Sequence, residues 1–169
     1  MTIHCQTIRM RQRNSGFTWI ELLAVVAVIG ILALMAIPGL QESILKRQVK
    51  EGLTLAPVAT RGVQVVYAAT GEMPANNAAA GIPVSSKIIG NMVKDVAVEM
   101  GGAVTLTFGN NASKALQDKH LTLRPAIVTG ETRVPIAWIC SKAAVPNGMQ
   151  VMGTDRTDIQ SSYLPVECR

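Results

Sequence analysis

Few side chains of this 169-residue sequence are placed to do chemistry. The two histidines, His4 and His120, do not stand at ligand spacing from Cys5, Cys140 or Cys168, so no metal centre is expected. No histidine accompanies an acid and a nucleophile, and neither a glycine-rich phosphate loop nor a deliberate carboxylate pair occurs. Catalytic residues, cofactors and enzyme activity are therefore not expected. Asp155 and Asp158 in GTDRTDIQ bring two acids together, but a calcium loop gathers about 6–8 oxygen ligands, and an acid-bearing turn is the better reading. What remains is one carboxylate, Glu21, and two cysteines, Cys140 and Cys168. The carboxylate stands near the start of FTWIELLAVVAVIGILALMAIPG, where a charge costs roughly 2.5–3.5 kcal/mol on membrane-insertion scales.

The element that must carry Glu21 is an apolar helix. Residues 22–40 contain no charged side chain, and with residues 17–20 the run reaches roughly 34 Å, enough to cross a hydrocarbon core of ~30 Å. Arg9, Arg11 and Arg13 precede it with no acid among residues 1–16. Basic residues flanking a first helix mark its cytoplasmic side, so the rest of the chain is expected outside the cytoplasm. The formal charge of +5 falls to +2 without residues 1–16, with 13 basic and 11 acidic side chains left. That balance gives nucleic-acid binding only weak support. An exported domain with two cysteines lies in a compartment that permits a disulfide, and Cys140 and Cys168 are expected to pair.

A basic start and an apolar run also describe a secretory signal peptide. Against that reading, the run exceeds the usual apolar region of about 7–15 residues, no small-residue cleavage site follows AIPGLQES, and an acid stands near its start. An ordinary anchor explains neither Gly16 nor Glu21. The segment Gly16-Phe17-Thr18-Trp19-Ile20-Glu21-Leu22-Leu23 resembles the G-F-T-L-I-E-L processing motif of type IV prepilins and related pseudopilins. The resemblance implies that a prepilin peptidase removes residues 1–16 by cutting after Gly16 and methylates the new N-terminus at Phe17. It makes Glu21 the family's assembly glutamate and places Gly30 and Pro38 where the family has a glycine and a helix-bending proline. Trp19 departs from the usual leucine, and Leu40 from a common tyrosine. The chemistry agrees: cleavage creates an amine at Phe17, and such an amine on a neighbouring subunit can neutralise a carboxylate otherwise stranded among packed apolar helices. Stabilisation of Glu21 by the helix N-terminus is compatible with that role.

Beyond the apolar run, residues 41–70 place Ile44, Leu45, Val49, Leu53, Ala56, Val63, Val66 and Tyr67 near helical spacing, with Glu42 and Lys46 as an i,i+4 pair. Pro38 and Pro57 should bend this element, Gly52 and Gly62 should weaken it, and Gly71 should stop it. Lys46, Arg47 and Lys50 form a solvated helix face. Residues 71–102 open with a Gly/Ala/Asn/Pro-rich surface loop, and KIIGNMVKDVAVEM fits a short helix or an irregular strand equally well. From Ala103 onward VTLTFG, HLTLRPAIV and VPIAWIC read as three strands of an antiparallel sheet covered by the helix. The tail is loop-like, with a short strand or turn at Tyr163 to Val166. Trp138-Ile139-Cys140 and Leu164-Pro165-Val166-Glu167-Cys168 resemble the W-x-C and L-P-x-x-C ends of the disulfide-bounded region of type IVa pilins.

The expectation is thus an α+β chain: leader 1–16, membrane and filament-core helix 17–40, amphipathic continuation 41–70, and head 71–169 closed by Cys140–Cys168. By resemblance it is a structural pilus subunit supporting adhesion, twitching motility or DNA uptake. Its implied partners are further copies of itself in a filament, a prepilin peptidase, the inner-membrane assembly machinery, and the membrane before assembly. A secretion-system pseudopilin and a DNA-binding minor pilin are the alternatives.

Overall fold

The computed structural model describes residues 16–169, apart from the side chains of residues 34–39. Of the leader expected over residues 1–16, all but Gly16 lies outside the described residues. The chain divides into two compact units, one ending at Pro38 and one comprising Gly39–Arg169. Helix α1, Trp19–Leu53, supplies residues to both. Among the described residues no helix is long and apolar enough to cross a membrane; the charge-free run 22–40 includes residues 34–39.

In the second unit the expected helix over 41–70 is two helices. Thr54 and Leu55 form a turn, their amides donating to Glu51 O (3.1 Å) and Gly52 O (3.1 Å), and α2 (Ala56–Thr70) begins at once. Pro57 lies in the first turn of α2, where its missing N–H leaves no bond unmade, so the proline starts a helix here and does not bend one. Gly71 ends α2 as expected, in the left-handed conformation (φ 76°) with its amide donating to Tyr67 O. Leu45, Val49, Ala56, Ala59, Val63 and Tyr67 form the buried stripe, while Ile44 is exposed and Val66 half-buried. The two glycines serve as contact points. A Cβ on Gly52 would stand 2.6 Å from the Phe108 ring, and one on Gly62 would stand 2.7 Å from Ala80 O.

The sheet is antiparallel throughout, in the order β1 (Val93–Glu99), β2 (Ala103–Phe108), β3 (His120–Ile127), β4 (Ala137–Cys140), with β5 (Gln150–Val151) pairing β3 beyond the end of β2. The sequence reading holds for β2, β3 and β4 but leaves β1 undecided and omits β5. The reason for β1 lies in its ladder. Val93 pairs with Phe108 and Asp95 with Thr107, so Lys94 is an extra residue in a bulge. The bulge puts Val93, Val96 and Val98 on one face at spacings of three and two, which spoils the alternation that identifies a strand. That face, with Val104, Leu106, Phe108 and Leu121, joins the helical stripe in one core. Thr105 and Thr122 share a hydroxyl hydrogen bond (3.2 Å) on the buried opposite side.

The loop after α2 is a surface loop only in part. Asn77 is buried: its side-chain amide donates to Pro83 O (2.8 Å) and Val96 O (3.0 Å), and its Oδ1 accepts from Val98 N (2.6 Å). One side chain thereby pairs the edge of β1, which would otherwise carry unmatched backbone groups. At the other end, Ser161–Tyr163 and Val166–Cys168 form single 3-10 turns, and a Cys140–Cys168 disulfide ties the last turn to the end of β4.

Candidate functional site

Gly16, Phe17 and Thr18 precede α1, and Phe17 is 77% exposed. Thr18 O accepts from Leu22 N (3.2 Å), so Thr18 occupies the position before the first helical residue and Glu21 lies in the first turn. The Thr18 hydroxyl reaches toward Glu21 Oε2 at 3.5 Å. A carboxylate in that turn meets the unpaired amides and the positive end of the helix dipole. Among the described residues no cation pairs with Glu21. Its counter-charge must come from elsewhere, or from water.

Past Glu21, Leu22, Leu23, Val25, Val26, Val28, Ile29, Ile31 and Leu32 are all 48% exposed or more. Their spacing covers every side of the helix, and a helix apolar all round is a helix meant to be buried. A Cβ on Gly30 would meet nothing within 4 Å. The absent side chain thus relieves no crowding within the chain, and only a close neighbour could make use of it. Pro38 falls within α1, and its side chain lies outside the described residues.

The second group of residues is at the C-terminal end. Cys140 and Cys168 are joined with their Cα atoms 4.6 Å apart, both buried in the core. The acids of GTDRTDIQ are engaged locally. Asp155 accepts from Thr157 N (2.9 Å), and Asp158 accepts from His120 N (2.6 Å) while lying 3.5 Å from His120 Nδ1 and 3.6 Å from Lys119 Nζ. Partial burial pushes the Asp158 pKa up, but the bonds from the His120 backbone and ring and the charges of Lys119 and His120 outweigh it, holding the carboxyl below its ordinary value. Lys94 and Asp118 form an exposed pair in which the mutual hydrogen bond raises the lysine and lowers the acid. Glu42 and Lys46 make the expected i,i+4 pair at 3.4 Å. Sequence reasoning missed Asn77 and the His120–Asp158 contact, because nothing local distinguishes either from an ordinary loop residue.

Residues 46–169 match the family model described as Pilin (bacterial filament), and residues 11–37 match the prokaryotic N-terminal methylation motif. The chain belongs to the pilin family. Among relatives of this pilin is the type IV major pilin protein PilE1 of Neisseria gonorrhoeae, 35% identical over 166 residues and covering 95% of this chain and 89% of the relative. A fimbrial protein of Neisseria meningitidis serogroup B is 32% identical, covering 95% and 96%. The fimbrial protein EcpC of Eikenella corrodens is 33% identical, covering 95% and 94%. The expected α+β fold, a helix packed on a small antiparallel sheet with a C-terminal disulfide, is the fold of this pilin. Relatives named as major pilins and fimbrial proteins do not favour the pseudopilin and DNA-binding minor-pilin alternatives.

Proposed function

We propose that this pilin is made as a single-pass inner-membrane precursor and becomes the structural subunit of an extracellular type IV pilus. A prepilin peptidase cuts between Gly16 and Phe17 and methylates the Phe17 amine, and the inner-membrane assembly machinery then moves the subunit into the filament. The observation that carries this reading is the exposed apolar helix with one carboxylate, Glu21, that no cation among the described residues answers. In the membrane that apolar surface faces lipid; in a filament it faces other copies of itself. The amine of an incoming subunit supplies the counter-charge for Glu21, so a misregistered subunit leaves a carboxylate buried without a partner, at a cost of several kcal/mol. Gly30 admits a neighbouring helix closely, and Pro38 loosens the helix where the membrane segment meets the head. Adhesion, twitching motility and DNA uptake are the activities such a filament supports.

The test is mass spectrometry of sheared filaments. The expected mass is that of a chain beginning at N-methylated Phe17 with one disulfide. A chain beginning at Met1, or cut near Ile37, sinks the proposal.

A further inference from the structure

A cleft of about 170 Å³ lies on the head among Ser141, Lys142, Thr157, Ile159, Ser161, Leu164, Cys168 and Arg169. Its lining is cationic and rich in hydroxyls. Two cations and three hydroxyls surround an apolar floor, and no Asp or Glu side chain lines it. Lys142 and Arg169 make the side chains of the lining net positive.

The cations are brought together by the fold. Lys142 follows Cys140 by two residues and Arg169 follows Cys168 by one, so the disulfide joins stretches that are 28 residues apart in the sequence. Arg169 is held in place, with Nε donating to Leu164 O (3.0 Å) and one terminal nitrogen to Ser162 O (3.1 Å), which leaves its other terminal nitrogen unbonded. Thr157 Oγ1 accepts from Thr122 N (3.0 Å), which frees its hydroxyl proton to donate. Ser141 is the decisive residue. It is 3% exposed, adopts a left-handed backbone (φ 50°) rare for a non-glycine residue, and its hydroxyl has no partner among the described residues. A hydroxyl on a buried residue that lines the cleft beside two cations, with no hydrogen bond to the described residues, is an arrangement that a ligand completes.

We propose that this cleft binds a small oxyanion of the phosphate class, held by Lys142 and Arg169 and by the hydroxyls of Ser141, Ser161 and Thr157. The volume suits that class. At about 30 Å³ per water it holds a polyatomic anion with its hydration partly replaced, and it falls well short of the roughly 300 Å³ at which pockets for larger organic ligands begin.

Equilibrium dialysis of the processed full-length chain in non-ionic detergent, with radiolabelled inorganic phosphate, tests the site. One phosphate binds per chain, saturably, and affinity falls about fivefold or more in Lys142→Gln and in Ser141→Ala. Reducing the disulfide abolishes binding. A parallel arm with glycerol phosphate identifies the source: tighter binding than inorganic phosphate marks a phosphomonoester headgroup as the ligand, and equal binding marks the free anion. Lys142 is exposed, so its substitution leaves the fold intact. The assignment is overturned if neither anion saturates below about 50 mM, or if both variants bind like the parent chain.

Discussion

At the scale of single residues, Glu21 and Asp158 show how the same side-chain chemistry is set to different ends. Among the described residues Glu21 has only the helix N-terminus and Thr18 near it, and the proposed assembly role takes its counter-charge from another subunit. Glu21→Ala should leave membrane insertion unchanged or easier, while the yield of sheared filaments counted by electron microscopy falls sharply. Filaments of normal number and length from that variant would remove Glu21 from assembly. Asp158 instead finds its partners inside the head, in His120 and Lys119. Its folded pKa lies below the ordinary 3.8, so its contribution is full above that value and is lost as pH falls through the folded pKa. Asp158→Asn should therefore destabilise the head by about 0.5–1 kcal/mol at neutral pH, a figure already discounted for solvent screening. Denaturant unfolding across pH should show the gap between parent and variant closing below about pH 3.8; a gap independent of pH would mean the carboxylate charge is not what matters.

At the scale of elements, the helix and the sheet meet through positions that look like defects in the sequence. Gly52 should weaken a helix by about 1 kcal/mol relative to alanine. Here its missing side chain lets the Phe108 ring stand where a Cβ would be, and the overpacking avoided is worth about 1–3 kcal/mol. Packing wins over propensity. Asn77 reads as one polar residue in a loop of small residues, yet it holds Val96 O and Val98 N at the edge of β1. Asn77→Ala leaves both groups buried without partners and should cost about 2–6 kcal/mol in denaturant unfolding, about 1–3 for each. A loss below 0.5 kcal/mol, roughly that of an ordinary surface change, would show that water or a loop shift replaces it.

At the scale of the whole molecule, the tail from Ser141 to Arg169 has little regular structure and relies on one covalent link. Closing a loop of this length stabilises by about 3–4 kcal/mol in the chain-entropy account. Replacing both Cys140 and Cys168 with serine should lower stability by about that amount, with the sheet's amide exchange accelerating less than that of residues 141–169. Uniform acceleration across the head would mean that the disulfide supports the entire unit and not the tail alone.

The amino-acid sequence by itself determined what depends on neighbours along the chain. An uncharged run of 19 residues, an acid at its mouth after Gly16-Phe17, helical spacing from Leu45 to Tyr67, and alternation in β2 and β3 are all legible within a few turns or one strand. The two cysteines were legible as a pair because only one pairing remained outside the leader. Tertiary structure alone decided where distant segments satisfy one another. The bulge at Lys94 hid β1 by breaking its alternation, and the partner that makes the bulge harmless, β2, lies several residues further on. Asn77 acquired its purpose from a strand about 20 residues away, Gly52 from a ring 56 residues away, and the cleft at Ser141 from both ends of a disulfide. Periodicity records which side of an element is apolar. It carries no record of which backbone group, ring or cation will arrive on that side, because that is set by packing among segments the local pattern never sees.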